Sequence, residues 1–167
     1  PTTLTYTVCP QLSEETVRRV VDNVALLQSR CKTPLILENP PQYFTVPGST
    51  MAMADFVNLV LSHCEVGFLL DLSHFLIAVL NTGADADEEL SRLPLDRVRE
   101  IHISGMNVES RIAWDDHATP APAREFELLE RVLAHSRPLA LTLEYNWSPN
   151  FPEAILHAHI ARVRNML

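Results

Sequence analysis

Four short apolar runs in this chain each end in an ionisable side chain. They are Pro34-Leu-Ile-Leu-Glu38, Val66-Gly-Phe-Leu-Leu-Asp71, Val98-Arg-Glu-Ile-His102 and Leu139-Ala-Leu-Thr-Leu-Glu144. As parallel strands of a βα fold, they would bring Glu38, Asp71, His102 and Glu144 to one face, at the strands' C-terminal ends. Carboxylates gathered there repel one another unless protons, basic side chains or a cation balance them. No Lys or Arg stands at these run ends, so a bound metal is the economical balance. His74, three residues past Asp71, and the segment Trp114-Asp-Asp-His117 extend the set. Asp115 and His117 are two apart and would face one side of an extended segment. The donors are imidazole nitrogen and carboxylate oxygen without thiolate, which suits Fe, Mn or Zn better than Cu(I) or an iron–sulfur cluster. The candidate ligands Glu38, Asp71, His74, His102, Asp115, His117 and Glu144 exceed the needs of one ion, so two or more ions are expected.

Each of these residues also has a purely structural reading. Asp71 can cap the helix that follows it. His74 can be a polar first-turn residue, and His102, between Ile101 and Ile103, a satisfied core histidine. Glu38 can end a strand in water, Glu144 can pair with an Arg, and the Asp115-Asp116-His117 segment can be an ordinary loop. His63, His135, His157 and His159 read as surface or packing residues on helices. His157 and His159, two apart on a helix, point different ways.

Ser13 followed by Glu14 and Glu15 signals a helix over 13–31, with Val17, Val20, Val21, Val24 and Leu27 on its inner face. Further helices are expected over 51–63 with Phe56, Leu59 and Val60 inward, over 74–82 ended by Gly83, and over 86–93. Two more are expected over 123–135, with Phe126, Leu129 and Val132 or Leu133 inward, and from Pro152 onward with Ile155, Leu156, Ile160 and Val163. Residues 40–50 and 104–122 read as loops, and Leu4–Val8 as an additional strand. Strands alternating with helices define an α/β class with a largely parallel sheet. The unit of roughly 30–40 residues is that of a βα barrel, which takes about 250 residues when complete. The expected architecture is therefore a TIM-barrel type in one partial domain, 1–167, with about five of eight βα units.

Composition narrows the alternatives. The chain has 167 residues, is 47% hydrophobic and carries a net charge of −8, values that fit a folded globular domain. An acidic chain without basic clusters is a poor partner for nucleic acid or anionic membranes. Four scattered glycines exclude a phosphate-binding glycine loop or a dinucleotide fingerprint. Cys9, Cys31 and Cys64 form no CxxC pair and read as reduced packing residues, which with no signal-peptide pattern suggests a cytoplasmic setting. A GxSxG nucleophile elbow is absent. The first residue is Pro1, so the chain reads as a piece of something longer.

Leu37-Glu-Asn39, Leu69-Leu-Asp-Leu-Ser-His74, Glu100-Ile-His-Ile-Ser-Gly105, Asp115-Asp-His117 and Leu143-Glu144, in this order, resemble the multinuclear non-haem iron-dependent oxidative enzymes, a TIM-barrel family related in fold to xylose isomerase. The resemblance extends over essentially the whole chain. It implies two or three iron ions at the barrel mouth. It also implies O₂-dependent modification of side chains, often cysteine, in ribosomally made precursor peptides, and a small partner protein that presents the peptide. By position, Glu38 corresponds to a carboxylate bridging irons, His102 and Glu144 to iron ligands, and Asp115 and His117 to ligands of a further iron. His74 stands where the family has Asn or His, Asp71 matches an acidic position, and Asn39 would position Glu38. The family's additional His ligands on early strands have no counterpart here. The chain is thus expected to be a C-terminal barrel portion, or one of two chains that complement each other as a homo-oligomer. The alternatives are a divalent-metal sugar isomerase or epimerase on the same fold, and a non-catalytic half-barrel.

Overall fold

The computed structural model describes residues 7–146 and 151–167. Its elements, in chain order, are α1 (Glu14–Arg30), β1 (Ile36–Glu38), α2 (Met53–His63), β2 (Gly67–Asp71), α3 (Leu72–Thr82), α4 (Ala86–Ser91), β3 (Val98–Ile103), β4 (Met106–Glu109), β5 (Ile112–Asp115), α5 (Ala123–His135), β6 (Ala140–Leu143) and α6 (Glu153–Met166).

The capping signals act as their chemistry dictates. The Ser13 hydroxyl accepts from the Thr16 amide to start α1. Asp85 accepts from the amides of Asp87 and Glu88 to start α4. Gly83 closes α3 in the left-handed conformation, φ 73°, which a side chain would disfavour. Asp71 caps α3, which begins at Leu72 directly after β2, two residues earlier than expected. α1 lies on α2, burying Val17 and Val24 with Val20 and Val21 partly covered, but Leu27, expected on that face, is 54% exposed. α2 buries Phe56, Val57, Val60 and Leu61, while Leu59 is only partly covered. α6 buries Val163; Ile155, Leu156 and Ile160 are half-buried.

The four strands β1-β2-β3-β6 form one sheet in that order, and every pairing is parallel. Helices join successive strands, as parallel pairing requires. The central strands β2 and β3 bury Phe68, Leu70, Val98, Ile101 and Ile103 against α3 and α5. That coverage explains their near-continuous apolar runs. In register, Glu38 lies opposite Leu69, Asp71 opposite His102, and Ile103 opposite Leu143. All four ionisable run ends therefore reach the same rim of the sheet. The sheet is open: among the described residues β1 and β6 have no outer partner strand, and Leu139 beside β6 is 86% exposed. Of the additional strand expected over Leu4–Val8, residues 4–6 lie outside the described residues, and Thr7 and Val8 are not in a strand. No described helix is long and apolar enough to cross a membrane.

Residues 104–122, expected to be a loop, contain an antiparallel hairpin of β4 and β5. Its two turn residues, Ser110 and Arg111, both have positive φ, 52° and 68°. Such turns favour Asn-Gly, so the sequence carried no hairpin signature. Tertiary contacts impose it. The Asn81 side chain donates to the Ala113 carbonyl (2.9 Å) and accepts from its amide (2.8 Å), so α3 pairs with the edge of β5 as another strand would. Ala113 is buried with Ile77 and Tyr43 beneath Trp114. At the base of the hairpin, Thr119 donates to the Met106 carbonyl, and a Cβ on Gly105 would lie 1.7 Å from the Thr119 carbonyl oxygen.

That contact is backbone against backbone and has no side chain to move aside. Gly105→Ala is expected to destabilise the chain by about 1–3 kcal/mol, the usual cost of overpacking a tight site. Urea unfolding measures it; an unchanged midpoint would show that the hairpin base is not close-packed.

Candidate metal centre

Three overlapping groups of side chains converge on the rim, and in each the potential ligand atoms lie within 4.8 Å of one another. They are His74–Asp115–His117, Glu38–Asp71–His74 and Asp71–His102–Glu144, which together contain every candidate named from the sequence.

In the first group, both imidazoles address one carboxylate. His74 Nε2 and His117 Nε2 each lie 3.1 Å from the Asp115 carboxylate. Their other ring nitrogens are held by backbone carbonyls: His74 Nδ1 by Asn39 (2.9 Å) and His117 Nδ1 by Glu144 (2.8 Å). A histidine that donates one ring N–H to a carbonyl presents the lone pair of the other to a metal, the usual support of a ligating imidazole. The left-handed backbone of His117, φ 55°, turns its ring back toward Asp115. In place of the expected extended segment, a strand end followed by a tight turn makes this approach.

In the other groups, Asp71 uses its two oxygens differently. Oδ1 accepts from the His74 amide (2.7 Å) as the cap of α3, whereas Oδ2 is buried with no hydrogen-bond partner and lies 4.0 Å from His102 Nδ1. His102 Nδ1 lies 2.9 Å from Glu144 Oε2 and 4.0 Å from Glu38 Oε1. Glu38 Oε1 is also 3.5 Å from His74 Nδ1, so this carboxylate stands between the groups. Asn39, expected to position Glu38, instead clamps Asp71: its side chain exchanges two hydrogen bonds, each 2.9 Å, with the Asp71 backbone.

The electrostatics are those of a crowded acidic rim. Burial pushes the Glu38 and Asp71 carboxyls upward; the charges of Asp71 and Glu144 raise Glu38 further and that of Asp115 raises Asp71, while the imidazoles of His74 and His102 partly relieve both. Burial alone would lower His74, but the hydrogen bond and charge of Asp115, with the charge of Asp71, overcome it and raise the imidazole to about 9. The Asp115 hydrogen bond raises His117 to about 9 as well. Asp115 itself is held below the usual carboxylate range, because the two imidazoles outweigh the effect of its burial. A fully buried oxygen without a partner, Asp71 Oδ2, beside a nitrogen–oxygen donor set fits a hard or borderline divalent cation.

Two supporting acids were not singled out from the sequence. Glu100 accepts from His102 Nε2 (3.1 Å) and from the Thr142 hydroxyl (3.0 Å), which turns His102 Nδ1 toward Asp71 and Glu144. Its traces in the sequence are its place at the head of the Glu100-Ile-His-Ile-Ser-Gly105 motif and its i, i+2 spacing from His102 on one strand face. Glu125 is fully buried and bonded to Ser73. In the sequence it resembles any acid in a helix first turn.

The architecture is thus a partial parallel βα barrel with a His/carboxylate rim. A solved xylose isomerase domain-containing protein from Salmonella typhimurium LT2 shares the fold, at a TM-score of 0.58 and 20% identity over 96% of this chain and 59% of that one. The sequence profile of the family described as RiPP precursor modification enzyme MbnB/TglH/ChrH matches residues 7–167, and this chain belongs to that family. A UPF0276 protein of Caulobacter vibrioides is 30% identical over 153 residues, covering 91% of this chain and 55% of the relative. A UPF0276 protein of Pseudomonas aeruginosa is 31% identical over 157 residues, covering 92% and 54%. The chain spans about half the length of these curated relatives.

Burial raises Glu125 to about 8 from a model-peptide value of 4.5. A carboxyl raised on folding contributes its full stability below the unfolded value, and that contribution is lost as pH rises through the folded one. The metal-free chain is therefore expected to lose stability between about pH 4.5 and pH 8, and Glu125→Gln to lose markedly less. Thermal unfolding across that range measures it. Parallel curves for the two proteins would show that Glu125 ionises normally in the fold.

Proposed function

We propose that this chain is the ligand-bearing part of an iron-dependent oxidative enzyme that modifies a ribosomally made precursor peptide presented by a small partner protein. The observation that carries the reading is the convergence of His74, His102 and His117 with Glu38, Asp71, Asp115 and Glu144 on one rim, in a member of a peptide-modifying family. Iron bound there would supply one-electron chemistry with O₂ and a Lewis-acidic hold on a substrate donor atom. Mn or Zn would fit the same donor atoms.

The residues' own contributions follow from their placement. Asp115, His117 and His74 would hold one ion, and Asp71, His102 and Glu144 another. Glu38, with Oε1 4.0 Å from His102 Nδ1 and 3.5 Å from the His74 ring, stands where the family resemblance implies a bridging carboxylate. Glu100 and the backbone carbonyls of Asn39 and Glu144 fix the imidazole orientations before any ion arrives. In the metal-free chain His74 and His117 hold protons at neutral pH, so a metal must displace them.

Two measurements test this reading. Purified anaerobically, the chain is expected to carry at least stoichiometric iron by elemental analysis, and His102→Ala or Glu38→Ala to lose about half of it or more. Substoichiometric metal that neither substitution changes would contradict the assignment. Adding divalent metal to the metal-free chain at pH 7 in weak buffer is expected to release protons, and Asp115→Asn to release fewer. Metal uptake without proton release would place the ion away from these imidazoles.

A further inference from the structure

Glu125 lies on the first turn of α5, fully buried, with no basic side chain bonded to it among the described residues. An acid there is more costly than an apolar residue of similar size. Its one bonded oxygen explains its use. Oε1 accepts from the Ser73 hydroxyl (2.7 Å) and more distantly from the Ser104 amide (3.3 Å). The Ser73 oxygen, with its proton directed to Glu125, accepts from the Ser104 amide (2.8 Å) and the Ser104 hydroxyl (3.0 Å). Without Glu125, the Ser73 proton has an alternative acceptor in the Ser104 carbonyl, 3.1 Å away. That turn would withdraw the lone pairs from the Ser104 amide. The carboxyl therefore decides which way Ser73 points.

The two serines occupy telling positions. Ser73 stands between Asp71 and His74 on the first turn of α3, and Ser104 is two residues past His102 at the end of β3. All three residues of this link are buried. The β2–β3 ladder ends at the Asp71–His102 pair, and past it side chains hold the first turn of α3 to the end of β3.

We propose that Glu125 is a positioning residue that, through Ser73, locks the start of α3 to the end of β3 and so sets the distance between the His74 and His102 rings. The proposal rests on the metal-centre reading for its consequence but not for its geometry. Removing the link would loosen the Asp71–His102–Glu144 group while leaving His117 against Asp115.

The test uses two readouts on the same chain. In the metal-free protein, imidazole ¹⁵N chemical shifts report the hydrogen bonds of each ring. Glu125→Gln keeps an acceptor oxygen and is expected to leave the His74 and His102 signals in place. Glu125→Ala is expected to shift both while His157, bonded to Glu153 on α6, stays unchanged. Ser73→Ala cuts the same link with a smaller change in volume and is expected to shift the same two rings, which keeps the test decisive if Glu125→Ala does not fold. Unmoved rings in Ser73→Ala, or equal shifts in Glu125→Gln and Glu125→Ala, overturn the proposal. The second readout is Co(II) titration followed by d–d absorption. Glu125→Gln is expected to bind like wild type, and Glu125→Ala or Ser73→Ala at least about tenfold more weakly with an altered spectrum, as for other supports of metal ligands. If wild type takes up no Co(II) while the ring shifts follow the expected pattern, the positioning role stands and the metal reading falls.

Discussion

Like charge at close range is the constraint on which the rest of this structure depends. Glu38, Asp71, Asp115 and Glu144 crowd one rim, and among the described residues their ion-pair partners there are all imidazoles. Three histidines, interleaved among the acids, can hold protons or yield their lone pairs to cations. Either state balances the rim; an arginine would have balanced it permanently and closed it to metal. The high proton affinity of His74 and His117 reflects the acids that surround them.

The fold serves that rim by fixing backbone ends. Parallel pairing delivers Glu38, Asp71, His102 and Glu144 to one side of the sheet, and register holds Asp71 opposite His102. The hairpin β4–β5 brings in Asp115, anchored by Asn81 from α3 and by the close approach of Thr119 to Gly105. Several groups serve two elements at once. Asn39 clamps the Asp71 backbone with its side chain and holds the His74 ring with its carbonyl. Glu144 offers a carboxylate to His102 and a carbonyl to His117.

Much of this was legible in the sequence because the relevant signals are local. Apolar runs that end in a charge locate the rim, and Ser13 and Gly83 mark helix ends by chemistry that needs no tertiary context. For Asp71, the sequence offered a choice between helix cap and ligand. In the structure the cap does not use up the side chain: one oxygen forms it and the other is left on the rim. What stayed hidden depends on distant partners. The Ser110-Arg111 turn lacks any favoured turn residue and is imposed from outside. Glu100 and Glu125 look like ordinary strand and helix acids until Thr142, Ser73 and Ser104 are placed beside them. Leu27 continues a helical stripe that no longer faces a neighbour at the end of α1.

The central claim is that remote side chains of this chain hold cations together on one rim, and anomalous diffraction from metal-loaded crystals tests it most directly. The account predicts peaks between Asp115, His74 and His117 and between Asp71, His102 and Glu144, with Glu38 reaching toward both. Peaks at other residues, or none in crystals whose chains contain stoichiometric metal, would contradict it.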